Sequence, residues 1–325
     1  MAEEWLRPID PTKVGSTWHK LELADFGSLF ATDAKAISKP LQDKIASGDF
    51  RYLPLAGNYR EQVLLDVLKR IDSGTLSLAG EEGKSRWEKG WGENRDAFIQ
   101  SGFDLDKLVP KYIRPRHPVR LNQQYVLPAD SEFELRWYEI FRTWFLENHL
   151  GSFDAVFEFG CGSGFNVART AQMFPGKKLV GLDWAKASSE ILEAMAKHYG
   201  WNVSGRVFDF FNPDYGLDVP ANSAFFTIGA LEQTGERWGA FLDFVLAKKP
   251  KYIFHIEPIY EWYETDNLVD YAARRFHWMR KYWRGYVGRV EELAKAGKVE
   301  VLKRKRSYFG SLFIEGYSQF FWRPL

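Results

Sequence analysis

From residue 155 onward, short apolar runs alternate with amphipathic stretches, and this rhythm narrows the available folds more than any other feature. Segments 155–159, 178–182, 203–208, 224–228 and 252–256 read as buried strands. Helical patterns fill the intervals: one through 174, one over 188–198, one over 237–246 and a long region up to about 295. Strands that alternate with helices pair in parallel through right-handed crossovers. The end of the chain reads as two more strands, 299–305 and 312–322, joined by a turn at Phe309-Gly-Ser. The expected fold is therefore α/β: a doubly wound, mostly parallel, seven-stranded sheet that ends in an antiparallel hairpin.

The first 130 residues have a different texture. A helical patch at 60–71 carries Val63, Leu64, Val67, Leu68 and Ile71 on one face. Turn-rich stretches follow at 73–75, 79–83 and 87–92, the last reading Trp87-Glu-Lys-Gly-Trp-Gly. Ser131 with Glu134 three residues on has the spacing of a capping box. It predicts a helix with the stripe Leu135, Tyr138, Phe141, Trp144 and Phe145, ending before Gly151. The expected division is a mainly helical region over 1–130 and an α/β unit over 131–325.

The turn after the first α/β strand reads Glu158-Phe-Gly160-Cys-Gly162-Ser-Gly164. Glycines between a strand and a helix let backbone approach a ligand at the carboxyl end of the sheet. A dinucleotide fingerprint needs G-x-G-x-x-G to seat a pyrophosphate on the helix N-terminus. Here the third glycine arrives one residue early, and the carboxylate of Glu158 precedes the first glycine by two. That acid repels a pyrophosphate and suits a ligand bearing an ammonium and a sulfonium. A nicotinamide-dependent oxidoreductase is disfavoured on the same ground.

On these residues the chain resembles the class I S-adenosylmethionine-dependent methyltransferases, whose domain is Rossmann-like. The resemblance runs over about residues 150–325. It implies S-adenosylmethionine as cofactor, with Glu158, Gly160, Gly162 and Gly164 forming the first motif. It further implies that Asp183, followed by Trp184, meets the ribose hydroxyls. Asp209, with Phe210, would contact the adenine amino group. Gly229, with Glu232 and Gln233 after it, would lie beside the methionine part and the reaction centre. The N-terminal region would cover the acceptor side.

Strand 252–256 leads into His255-Ile-Glu257-Pro258, and residues two apart point to one strand face. A histidine is a natural general base, and a neighbouring carboxylate orients it. His255, Glu257 and Glu232 are therefore the candidate catalytic residues, and the expected reaction is O-methylation of a sugar-like or other polar small molecule. The alternatives are N-methylation of a small molecule, protein or nucleic acid, and a scaffold that binds the cofactor without turnover. No metal-ligand spacing stands out.

Charge bears on the acceptor. The 325 residues carry 44 Lys and Arg against 43 Asp and Glu, which makes a nucleic-acid partner unexpected. Locally the balance shifts: twelve Lys or Arg face three acids between 274 and 306. That stretch suggests a basic face that draws an anionic or sugar-linked acceptor. A second basic set comprises Lys107, Lys111, Arg114, Arg116, His117 and Arg120. Aromatic residues form 17% of the chain, and core packing explains most of them. One cysteine, Cys161, an acidic start and no long apolar run together suggest a cytoplasmic protein without a membrane span.

Overall fold

The computed structural model describes residues 5–325 except Ser16, Arg114, Arg116 and His117. The acidic start at 1–4 and three members of the second basic set lie outside the described residues.

The N-terminal region is mainly helical, with α1 (Leu23–Phe30), α2 (Lys39–Ser47), α3 (Gly57–Asp72) and α4 (Lys84–Gln100). Between them run four short strands, β1 (His19–Lys20), β2 (Arg51–Pro54), β3 (Val119–Leu121) and β4 (Gln124–Pro128). The segment 87–92, expected as a turn, is instead the middle of α4. Gly90 and Gly92 each cost a helix about 1 kcal/mol against alanine. Burial of Trp91, Asn94 and Phe98 along one face overrides that cost, and Trp87 stacks on Trp91 one turn away at 5.4 Å.

The α/β unit opens with α5 (Phe133–His149). Ser131 does not cap it; Asp130 Oδ1 takes the Glu132 N–H at 2.9 Å instead. Then come β5 (Ala155–Phe159), α6 (Phe165–Met173), β6 (Lys178–Asp183), α7 (Lys186–Tyr199), β7 (Val203–Val207), β8 (Ser223–Ile228), α8 (Gly239–Lys248) and β9 (Tyr252–Glu257). The long helical region is two helices, α9 (Leu268–Arg280) and α10 (Tyr286–Lys295), separated by a turn with Gly285 at φ +81°. β10 (Val299–Lys305), β11 (Phe309–Gly310) and β12 (Ser318–Pro324) complete the chain.

Seven strands form the large sheet in the order β10-β12-β9-β8-β5-β6-β7. β5 to β9 pair in parallel, and β12 runs antiparallel between β9 and β10. β5 and β8 are buried at every residue, as strands covered by helices on both faces must be. Val156 packs into one core layer and Phe157 into the other. Phenylalanines fill the second layer: Phe159 meets Phe208 at 4.9 Å and Phe241 at 5.2 Å.

The closing hairpin is wider than a single turn. After β10 the chain leaves the large sheet, and β11 pairs with β3, giving a small antiparallel sheet ordered β1-β2-β4-β3-β11. β12 therefore starts at Ser318, not 312, and the 306–317 connection ties the two sheets together.

Candidate active site

The strand order reverses beside β5: the chain steps outward through β6 and β7, then returns to β8 on the other side. Loops leaving neighbouring strands in opposite directions open a crevice at their carboxyl ends. The glycine turn forms one wall. Gly160 (φ +75°) lies so close to the loop after β8 that an added Cβ would sit 2.2 Å from the Ala230 methyl. At Gly162 (φ +53°) an added Cβ would come within 2.8 Å of the Trp91 ring. A side chain at either position would push the walls apart.

Two buried carboxylates face this narrow cleft. Glu158 is 1% exposed; its Oε1 accepts from Asn166 Nδ2 at 2.8 Å, and its Oε2 has no partner. Burial raises its carboxyl to about 8. Asp183, at the end of β6, accepts from the Gly162 N–H and the Ala185 N–H, each at 2.9 Å. Burial still pushes it up to about 6. Trp184, Phe210 and Gly229 complete the wall, and among the described residues no Lys or Arg lines the cleft.

Two residues of the expected set stand apart. Gly164 (φ +73°) starts α6 and packs toward Leu192, where an added Cβ would lie at 2.7 Å. Asp209 is engaged by Lys84 Nζ at 2.7 Å and by the Phe211 N–H at 2.9 Å, outside the cleft lining.

The three catalytic candidates separate more sharply. His255 is fully buried: Thr227 Oγ1 meets Nδ1 at 3.0 Å, and the Tyr286 hydroxyl meets Nε2 at 2.8 Å. Burial lowers its pKa to about 3, and it lines neither the cleft nor the cavity beside it. Both ring nitrogens serve the core between β9 and α10. Glu257 accepts the N–H groups of Ala230 and Leu231 at 3.0–3.1 Å, which fixes the loop after β8. Burial and the adjacent Glu232 push its carboxyl well above the usual range. Only Glu232 faces the cavity. Gln233 Nε2 donates to its Oε1 at 2.9 Å, and its Oε2 is unpartnered.

That cavity has a volume of about 510 Å³ and joins the cleft at Trp87, Trp91, Tyr112, Gly229 and Gln233. Its far walls carry Arg86, Arg280, Phe276, Tyr282 and Phe313. Most of these residues carried no signal in the sequence, because they come from α4, α9 and the 306–317 connection. Trp87 and Trp91 were visible only as an aromatic, polar segment.

The basic run at 274–306 does not form one face. Arg275 pairs with Asp72, Arg284 with Glu236, Arg289 with Glu292 and Arg304 with Glu291. Arg306 enters a buried network with Asp270 and Glu315. Of the run, only Arg280 lines the cavity. Among the described residues no cluster of His, Cys, Asp or Glu is disposed to hold a metal, and no helix is long and apolar enough to cross a membrane.

No protein-family model matches the chain, and no curated protein does. Among solved structures the chain is similar to the [4+2]-cyclase SpnF, at 12% identity and a TM-score of 0.46, over 77% of this chain and 97% of that one. It is similar to the O-methyltransferase NcsB1 from neocarzinostatin biosynthesis at 14% identity and a TM-score of 0.40, over 94% and 90%. The match to the small RNA methyltransferase HEN1, at 17% identity and a TM-score of 0.43, covers 62% of this chain and 28% of that one. Such likenesses concern the fold, and one fold hosts many chemistries.

Proposed function

We propose that the protein is an S-adenosylmethionine-dependent methyltransferase acting on a hydroxyl of a polar small molecule held in the cavity beside the cleft. The observation that carries this reading is Glu158: a buried carboxylate with one oxygen unpartnered, in a cleft that holds a second carboxylate and no cation. A buried charge without a partner is costly, and a cationic ligand offsets that cost. In this reading Glu158 meets the ammonium and Asp183 the ribose hydroxyls, while Trp184 and Phe210 flank the base. Gly229 allows close approach of backbone.

Bound S-adenosylmethionine supplies a methyl group already activated on a sulfonium. What remains for the chain is alignment of the acceptor and removal of its proton. Glu232 is placed for the second task, at the junction of cleft and cavity with Oε2 open and Oε1 held by Gln233. Glu257 positions the loop behind it. His255, whose nitrogens are occupied, has no part in the transfer. Residues 1–130 act as the acceptor-side cover, since Trp87, Trp91 and Tyr112 wall both spaces.

Transfer of a labelled methyl group to a metabolite extract tests the reading. Glu232→Gln is expected to lower turnover by about 100-fold or more, the scale for losing a general base. Binding of S-adenosylhomocysteine should stay within a few-fold. Turnover that survives the substitution would point to an acceptor needing no base, such as a neutral amine.

A further inference from the structure

Arg86 on α4 and Arg280 at the end of α9 both line the cavity. Among the described residues neither has a carboxylate partner, and Nη2 of Arg86 and Nε of Arg280 are buried without any hydrogen bond. Their neighbours in sequence behave otherwise: Arg275 and Arg284 each reach an acid. Burial, and then the charge of Arg280, lower the pKa of Arg86, so the two cations feel each other. Two like charges drawn partly out of water without a counter-ion oppose folding.

The surroundings hold the pair in place. The Arg280 guanidinium lies 4.8 Å from the Tyr282 ring centre and 5.6 Å from that of Phe276, and Arg86 lies 5.0 Å from Trp87. Ala79 N–H donates to the Arg280 carbonyl, and Gly80 N–H donates to the Gln233 carbonyl, both at 2.8 Å. The pair is thus tied to the loop that carries Glu232. Planar guanidinium forks on aromatic faces match an oxyanion with two or more acceptor oxygens.

We propose that Arg86 and Arg280 form an oxyanion subsite, and that the acceptor is a ring-bearing small molecule with a carboxylate or phosphate at that end. This rests on the reading of the cavity as the acceptor site. The aromatic walls take the ring, and Glu232 lies toward the other end. A nucleic-acid strand fits less well: the net charge is only +1, and the other arginines that flank Arg280 are already engaged.

The test titrates the full chain with benzoate, phenyl phosphate and phenol by calorimetry, and with S-adenosylhomocysteine in parallel. At least one anion should bind about tenfold or more tightly than phenol, and the better of the two identifies the oxyanion. Arg86→Met and Arg280→Met should each weaken the anion by about tenfold or more, the scale for losing charge-assisted hydrogen bonds. Phenol and S-adenosylhomocysteine should bind each variant as they bind the parent, which also shows that the variants are folded. Arg280→Lys should recover part of the anion affinity. Anions no tighter than phenol, or unaffected by either Met variant, would overturn the subsite. So would binding of a short single-stranded RNA in preference to both anions, with loss in the same variants. Anion binding without S-adenosylhomocysteine binding would keep the subsite and overturn the methyl-transfer reading. The converse would overturn the subsite alone.

Discussion

Two regions of this molecule bury carboxylates, and they do so in opposite ways. In the first, Arg120 of β3, Asp270 of α9, and Arg306 and Glu315 of the 306–317 connection form a network of two cations and two anions. Arg120 Nη2 reaches Asp270 at 2.9 Å, and Arg306 reaches Asp270 at 2.6 Å and Glu315 at 2.7 Å. Gln123 and the Glu264 N–H also donate to Asp270. In the second, Glu158 and Asp183 share a cleft with no cation, and Glu158 Oε2 has no partner. The first arrangement is self-sufficient and joins the small sheet to α9. The second is complete only with something bound. Burial alone does not separate structural charge from functional charge; partner bookkeeping does.

The sharpest way to break this contrast is Arg120→Met. It strands Asp270 and Glu315 with one arginine between them, and breaking such a buried pair costs about 3–5 kcal/mol. Urea unfolding should show that loss. Glu158→Gln should behave in the opposite sense. The folded protein holds the Glu158 carboxyl at about 8, above its ordinary 4.5, so its contribution to stability is present at low pH and fades as pH rises between those values. The Gln variant should therefore match the parent near pH 4 and exceed it above pH 8. Equal losses in the two variants would erase the distinction between the regions.

A smaller effect separates core from site within β9. His255→Gln removes bonds to Thr227 and Tyr286, and leaving their hydroxyls unpaired in the core costs about 1–3 kcal/mol. Turnover per folded molecule should remain within a few-fold. A 100-fold loss with cofactor binding intact would return His255 to the chemistry.

The two regions also differ in how far they could be read from sequence. Glu158 and the glycines lie within seven residues, and Asp183 follows at the end of the next strand, so local spacing was enough to mark the cleft. The strand rhythm likewise announced the parallel sheet. The network was invisible, because Arg120 and Asp270 are 150 residues apart and meet only through tertiary packing. Counting charges over 274–306 produced a basic face, since Asp270 and Glu315 fall just outside that window. His255 looked catalytic because spacing put it on one strand face with Glu257, but spacing does not say which face is sealed by α10. The small sheet escaped because its strands are two to five residues long, too short for alternation to register.

The central claim is that Glu158 is held uncompensated for a cationic ligand. Calorimetry of S-adenosylhomocysteine binding at pH 7, in two buffers of different ionisation enthalpy, tests it most directly. With its carboxyl raised to about 8, Glu158 is mostly protonated in the free protein and must ionise to meet an ammonium. Binding should release a proton from the parent, affinity should climb toward pH 8, and Glu158→Gln should bind about tenfold or more weakly with no release. Tight binding by both proteins without proton release would contradict the account.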